Sequence, residues 1–176
     1  MDIDLKYNVI YADPPWTFKT YSNKGKDRSP EKHYSVMSFK DICNMPVGNI
    51  ARDNSVLLMW AIDPLLDKAF EVIKAWGFTY KTVAFTWAKL NKTKPGFFTG
   101  LGYWTRGNPE MCLLATRGKP KRLNKSIPQL VVSERQEHSR KPDIVYEHIE
   151  KMLEGPYMEL FARRKRDGWN SWGNEV

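Results

Sequence analysis

The chain has only two cysteines, Cys43 and Cys112, and three histidines. Two cysteines cannot build a disulfide framework, and without a CxxC pair or a tight His/Cys cluster no structural zinc set is present. Long apolar runs are missing too. The longest, Val56 to Ile62, falls far short of the roughly 20 residues a membrane helix needs. No unit of roughly 20–50 residues repeats, which excludes a solenoid. The GxGxxG fingerprint of a dinucleotide site is also absent. Acids are outnumbered, with 20 Asp and Glu against 28 Lys and Arg, leaving a net charge of +8. The opening Met1-Asp2-Ile3-Asp4 is acidic where a signal peptide carries bases and then an apolar stretch, so export is not expected.

What remains is 176 residues, 41% of them apolar and 13% aromatic. That is enough for a genuine core and, at roughly 100–200 residues per domain, for one domain spanning residues 1–176. A compact, basic, cytoplasmic globule without a membrane segment is the expectation. Its charge suits a polyanionic partner, although basic charge also serves plain solubility.

Strand and helix patterns alternate along the chain. Tyr7 to Ala12 is a short apolar run ending at Asp13-Pro14-Pro15, and Ser55 to Ala61 is continuously apolar, as in a strand covered on both faces. Phe78 to Ala88, Met111 to Thr116 and Met158 to Ala162 also read as strands. Ser38 to Asn44 reads as a short helix with Ser38 as N-cap. Asp63-Pro64 opens a second helix that Gly77 closes, and Lys141-Pro142-Asp143 opens a third running to about Leu153. This alternation predicts an α/β fold with a largely parallel sheet. Residues 17–36, 90–107 and 117–141 fit neither pattern. In open α/β sheets ligands bind at the carboxyl ends of strands, which is where these loops are expected to gather.

Asp13-Pro14-Pro15-Trp16 directly follows the first buried strand. Two prolines fix φ and remove two N–H donors, leaving carbonyls beside a carboxylate. Trp16 adds a flat face. Such a set suits a planar ring carrying an amino group, above all adenine. Its exocyclic nitrogen is a poor nucleophile because the lone pair is delocalised into the ring. Accepting hydrogen bonds from both N–H groups turns that lone pair out of the ring and toward an electrophile. The plainer reading is a proline turn whose Asp caps a neighbour.

Asp-Pro-Pro-Trp is also the point at which the chain resembles the MT-A70 family of S-adenosyl-L-methionine-dependent N(6)-adenine methyltransferases, and in particular its small phage and bacterial DNA enzymes. The resemblance runs over nearly the whole chain in six ordered blocks. They are Tyr11-Ala12-Asp13-Pro14-Pro15-Trp16; His33-Tyr34 with Met37-Ser38; Gly102-Tyr103-Trp104 with Glu110-Met111-Cys112-Leu113; His138-Ser139-Arg140-Lys141-Pro142-Asp143; Glu159-Leu160-Phe161-Ala162-Arg163; and Gly168-Trp169 with Trp172-Gly173-Asn174-Glu175. One departure is Arg164-Lys165-Arg166, where relatives often carry Pro-His or Pro-Arg.

The resemblance implies a Rossmann-like class I methyltransferase fold, circularly permuted, since the catalytic motif precedes the cofactor motif. It implies that Asp13, Pro14, Pro15 and Trp16 hold the target adenine. Lys141, Glu159, Phe161, Arg163, Asn174 and Glu175 are expected on S-adenosyl-L-methionine, with Glu159 on the ribose hydroxyls. Tyr34, Trp104 and Glu110 are expected near the target base. Taken without the resemblance, Glu159 is an outward strand residue and Lys141 an ordinary first-turn residue; Arg164 and Arg166 are expected at the surface with or without it. Segment 117–141 holds eight bases against Glu134 and Glu137. Arg117, Lys119, Lys121 and Arg122 are therefore expected on nucleic acid. No metal is expected. The substrate expected is DNA carrying a flipped adenine, the chain allows a homodimer, and a phage-encoded form acts in the bacterial host's cytoplasm. The alternatives are RNA adenosine as substrate, or a non-catalytic nucleic-acid-binding subunit.

Overall fold

The computed structural model describes residues 5–16, 37–136 and 140–173. Seven strands form one sheet: β1 (Tyr7–Ala12), β2 (Ala51–Ala61), β3 (Thr79–Leu90), β4 (Glu110–Arg117), β5 (Leu130–Glu134), β6 (Tyr157–Leu160) and β7 (Trp169–Trp172). Their order across the sheet is β5-β3-β4-β2-β1-β6-β7. β4 alone runs against its neighbours β2 and β3, and every other pairing is parallel. The fold is therefore the expected Rossmann-like α/β arrangement.

Helices cover both faces. On one side α1 (Phe39–Asn44), α2 (Val47–Ile50) and α3 (Leu66–Ala75) bury Ile42, Val47, Ile50, Val72 and Ile73 against Ile10, Leu57, Met59 and Leu113. On the other, α4 (Asp143–Met152) buries Val145, Tyr146 and Ile149 against Val9, Tyr11, Leu58 and Trp60. β2 is continuously apolar because its alternate residues serve these two separate cores.

Local chemistry sets the helix ends. The Ser38 hydroxyl accepts the Asp41 N–H at 3.1 Å and donates to the Asp41 carboxylate at 2.6 Å, capping α1. At the far end of α3, Gly77 takes φ +81, its N–H reaches the Lys74 carbonyl at 3.0 Å, and the Phe78 N–H reaches Ile73 at 3.0 Å. That is the Schellman closure the glycine foreshadows. Asp63 is not the N-cap expected of it. It opens a 3₁₀ turn, Asp63–Leu65, after extended Ile62, because Pro64 is accommodated in that turn.

β5 and β7 lie in stretches with no strand signal strong enough to read. Both are short edge strands, held by a single neighbour each. β6 stops at Leu160 rather than Ala162 because Phe161 turns to φ +63.

The antiparallel course of β4 overturns one expectation. Ala61 pairs with Met111 and Ser55 with Arg117, so β4 enters at the edge where β1 and β2 end and leaves at the opposite edge. Arg117, Lys119, Lys121 and Arg122 follow that exit. They lie at least five residue steps along the sheet from the level of Asp13, roughly 17 Å. Arg117 donates to the Gly48 carbonyl at 2.7 Å, and the Lys119 N–H to the Asn54 side chain at 2.7 Å. The expectation that all three unassigned loops gather at one edge assumed parallel strands throughout. One antiparallel strand sends the first part of segment 117–141 away, and β5, parallel to β3, carries the chain back to the Asp13 edge, where Arg135 and Lys141 stand.

Candidate active site

From central β1 the chain moves outward to β2 on one side and later returns to β6 on the other. The order reverses between β1 and β6. Outside the carboxyl ends of such a pair a crevice opens that neither connection covers. Asp13 leaves β1 there, and Phe161 leaves β6.

The Asp13 turn is held from beneath. The Trp16 N–H donates to the Pro14 carbonyl at 2.8 Å, closing a three-residue turn about Pro15. The Trp16 indole N–H donates to the Trp60 carbonyl at 3.0 Å, and the Trp60 indole donates to the Tyr11 hydroxyl at 2.6 Å. Trp16 is 6% exposed and belongs to the core. It anchors the turn, with its ring packed among core side chains. The hydrogen bond to the Trp60 carbonyl holds the indole over β2.

Four charged side chains from four segments then meet in alternating sign. The Lys141 ammonium donates to Asp13 Oδ2 at 2.7 Å and lies 3.2 Å from Glu110 Oε2. The Lys89 ammonium donates to Glu110 Oε1 at 2.5 Å. Lys141 also lies 5.3 Å above the Trp60 ring. Burial opposes the charge on Lys141, but Asp13 and Glu110 outweigh it and lift its pKa well above the usual lysine value. Burial likewise opposes the charge on Glu110, yet Lys141 and Lys89 together hold it below the usual carboxylate value. Glu110 and Lys141 are thus each held in the charged form by the other's charge.

Lys89 carries no sequence signal, since it falls just past the end read for its strand. Asn108 fixes the backbone there, accepting from the Lys89 N–H and donating to the Lys89 carbonyl, both at 3.0 Å.

On the other side of the crevice Glu159 is 9% exposed, so it is not an outward strand residue. The Tyr146 hydroxyl donates to its Oε1 at 2.7 Å. Burial raises the Glu159 pKa, and Asp13 adds to this against the hydrogen bond from Tyr146 and the nearby Arg164 and Arg166. Among the described residues its Oε2 has no partner, and neither has the buried hydroxyl of Ser171, its neighbour on β7. Arg164 pairs with Asp143, while Arg166 reaches Glu150 at 3.0 Å and lies 4.9 Å above the Tyr146 ring. The basic run is therefore a clamp on α4, not plain surface. Tyr146 escaped the sequence reading because its functional contact is to a strand thirteen residues on.

The MT-A70 family model matches residues 7–175. The chain belongs to the MT-A70 family. A type II methyltransferase of a Mycoplasma species, M.MunI, is 34% identical over 190 residues, which cover 97% of this chain and 78% of that protein. A putative N(6)-adenosine-methyltransferase MT-A70-like protein of Medicago truncatula is 32% identical over 182 residues, all of this chain and 27% of its own length. The human N(6)-adenosine-methyltransferase catalytic subunit METTL3 is 28% identical over 185 residues, all of this chain and 30% of its own length. The chain thus spans most of the Mycoplasma protein and under a third of these plant and human ones.

MT-A70 methyltransferases typically use S-adenosylmethionine, and the residues present fit it. A ribose diol offers two hydroxyls, and Glu159 Oε2 and Ser171 Oγ are two oxygens on adjacent strands with no partner among the described residues. Phe161 adopts φ +63 immediately beyond, with its ring 5.7 Å from that of Trp172. A non-glycine residue in that region is held there by its surroundings, as is common at ligand sites. Arg163 lies half-buried in the same turn. Tyr34, Asn174 and Glu175 lie outside the described residues. Among the described residues no cluster of His, Cys, Asp and Glu could hold a metal, and no helix is long and apolar enough to cross a membrane.

Proposed function

We propose that this MT-A70 protein is a DNA adenine N(6)-methyltransferase, with S-adenosyl-L-methionine held by Glu159, Ser171, Phe161 and Arg163. The observation that carries the reading is the Asp13–Lys141–Glu110 constellation at the β1–β6 crevice, beside the unsatisfied Glu159. Bound S-adenosylmethionine supplies a methyl group on a sulfonium centre as the electrophile.

The chain's own residues act on the amine. Lys141 engages Asp13 Oδ2, and Asp13 Oδ1 accepts one amino N–H of the target adenine. The Pro14 carbonyl has one lone pair on the Trp16 N–H and a second for the other amino hydrogen. The nitrogen lone pair is then turned out of the ring plane and fixed in line with the electrophile. After transfer the nitrogen carries a positive charge and loses a proton to Asp13 or to water, so Asp13 need not be a strong base. Lys141, held charged, donates to Asp13 Oδ2 and so orients that carboxylate toward the amine.

DNA is preferred over RNA because the type II methyltransferase match extends over 78% of that relative. Adenosine in RNA is the second reading, favoured by the N(6)-adenosine-methyltransferases that match the whole chain. The deciding experiment is transfer of labelled methyl to duplex DNA, single-stranded DNA and RNA in parallel. Asp13→Ala is expected to lower transfer by about 10³-fold while cofactor affinity stays within a few-fold. Label confined to RNA overturns the DNA reading. Cofactor binding by the wild type without transfer to any of the three overturns both nucleic-acid readings. Failure to bind the cofactor at all points to a non-catalytic subunit.

A further inference from the structure

Residues 91–109 link β3 to β4 and rise from the same sheet edge as Asp13. The stretch holds Lys92, Lys94 and Arg106 and no acid. At its tip Trp104 has a relative accessibility of 106% and a backbone φ of +62. A tryptophan is rarely left wholly in water, and a bulky residue rarely adopts left-handed backbone. Both occur at one position.

The loop is nevertheless tightly built. The Gly100 N–H donates to the Gly107 carbonyl at 2.7 Å, and the Thr105 N–H to Tyr103 at 2.6 Å. A side chain at Gly102 would put its Cβ 2.3 Å from the Thr105 carbonyl, so the backbone passes closely over itself. At the base, Asn108 bridges Lys89 and Phe98, and Arg135 lies 3.9 Å above the Phe98 ring. A fixed base thus presents an exposed indole. Fully accessible, that indole does not touch the Asp13–Lys141–Glu110 cluster.

We propose that Trp104 is a wedge for duplex DNA, entering the base stack where the target adenine is withdrawn. The inference rests on the DNA reading above. A paired adenine hides its amino group, and withdrawing it leaves a gap in the stack whose cost an inserted apolar side chain offsets. An aromatic ring stacks on any base, and the acid-free surroundings of Trp104 suit the phosphates on either side.

The test compares wild type, Trp104→Ala and Trp104→Phe on three DNAs of one sequence: a paired duplex, a duplex with the target adenine mispaired, and a single strand. For Trp104→Ala, kcat/KM on the paired duplex is expected to fall about 10–100-fold, with the single strand within about twofold and the mispaired duplex largely restored. Trp104→Phe is expected to keep most activity on the paired duplex. In parallel, 2-aminopurine at the target position should brighten on binding wild type but not Trp104→Ala. Equal loss on all three DNAs, or no loss on the paired duplex, overturns the wedge while the wild type's activity keeps the DNA reading. Equal loss together with dissociation of a wild-type dimer assigns Trp104 to a protein contact instead. A wild type that methylates none of the three overturns both.

Discussion

Two glutamates of this protein have pKa values moved in opposite directions, and the difference follows from what surrounds each. Glu159 is buried against a tyrosine hydroxyl, and burial raises its pKa. A carboxyl whose folded value exceeds its unfolded value costs stability once ionised, and the cost is relieved as pH falls through the folded value. Glu159→Gln is therefore expected to raise the melting temperature at neutral pH and to weaken S-adenosylmethionine binding roughly tenfold or more, through loss of a charge-assisted hydrogen bond. Thermal denaturation and calorimetric titration check the pair, and unchanged affinity would remove Glu159 from the cofactor site. Glu110 shows the opposite sign. Despite burial, Lys141 and Lys89 hold its pKa low, so its contribution is present above the ordinary carboxylate value and lost as pH falls through the folded one. Lys89→Gln removes one of those two cations. The acid limb of the pH–activity profile is expected to move upward, with kcat falling about 10-fold or more as the network loosens. An unmoved acid limb would show that Lys89 does not tune this site.

At the level of elements, the active edge depends on where helices and strands stop. α3 ends at Gly77, whose φ of +81 is open to glycine, and a Cβ there would meet nothing within 4 Å. Gly77→Ala is thus a pure backbone test, expected to cost about 1 kcal/mol in denaturant unfolding without changing cofactor affinity. Gly173 differs in kind. A Cβ there would lie 2.2 Å from the Ala162 carbonyl, in the turn that follows Glu159 and Phe161. β7 is brought against that turn so closely that only glycine fits.

At the scale of the whole molecule, the direction of β4 divides the basic residues into two groups. Lys92, Lys94, Arg106 and Lys141 stand at the Asp13 edge, whereas Lys119, Lys121 and Arg122 stand at the other. Changing Lys121 and Arg122 together to Ala is expected to leave kcat and KM for a short oligonucleotide within about twofold, because these charges lie beyond its reach from Asp13. A large rise in KM on a short single strand would place the substrate across both edges.

Much of this protein was legible in its sequence. Apolar runs flanked by Pro, Gly and Asp marked β1, β2, β4, α1, α3 and α4, because burial and helix termini constrain nearby residues strongly. The Asp-Pro-Pro-Trp turn and the ordered blocks up to Trp172 pointed to the family that the family match supports. What only the tertiary structure decided were relations between distant segments. Strand direction depends on which neighbour a segment pairs with, and nothing within Glu110–Arg117 encodes that it runs antiparallel. The Lys89–Glu110–Lys141–Asp13 chain joins residues 128 positions apart. Trp16 reads as a flat aromatic face, and only the fold brings β2 beneath it. Local chemistry selects elements, but long-range packing selects the partners of each charge and ring, and at this site those partners determine what the residues can do.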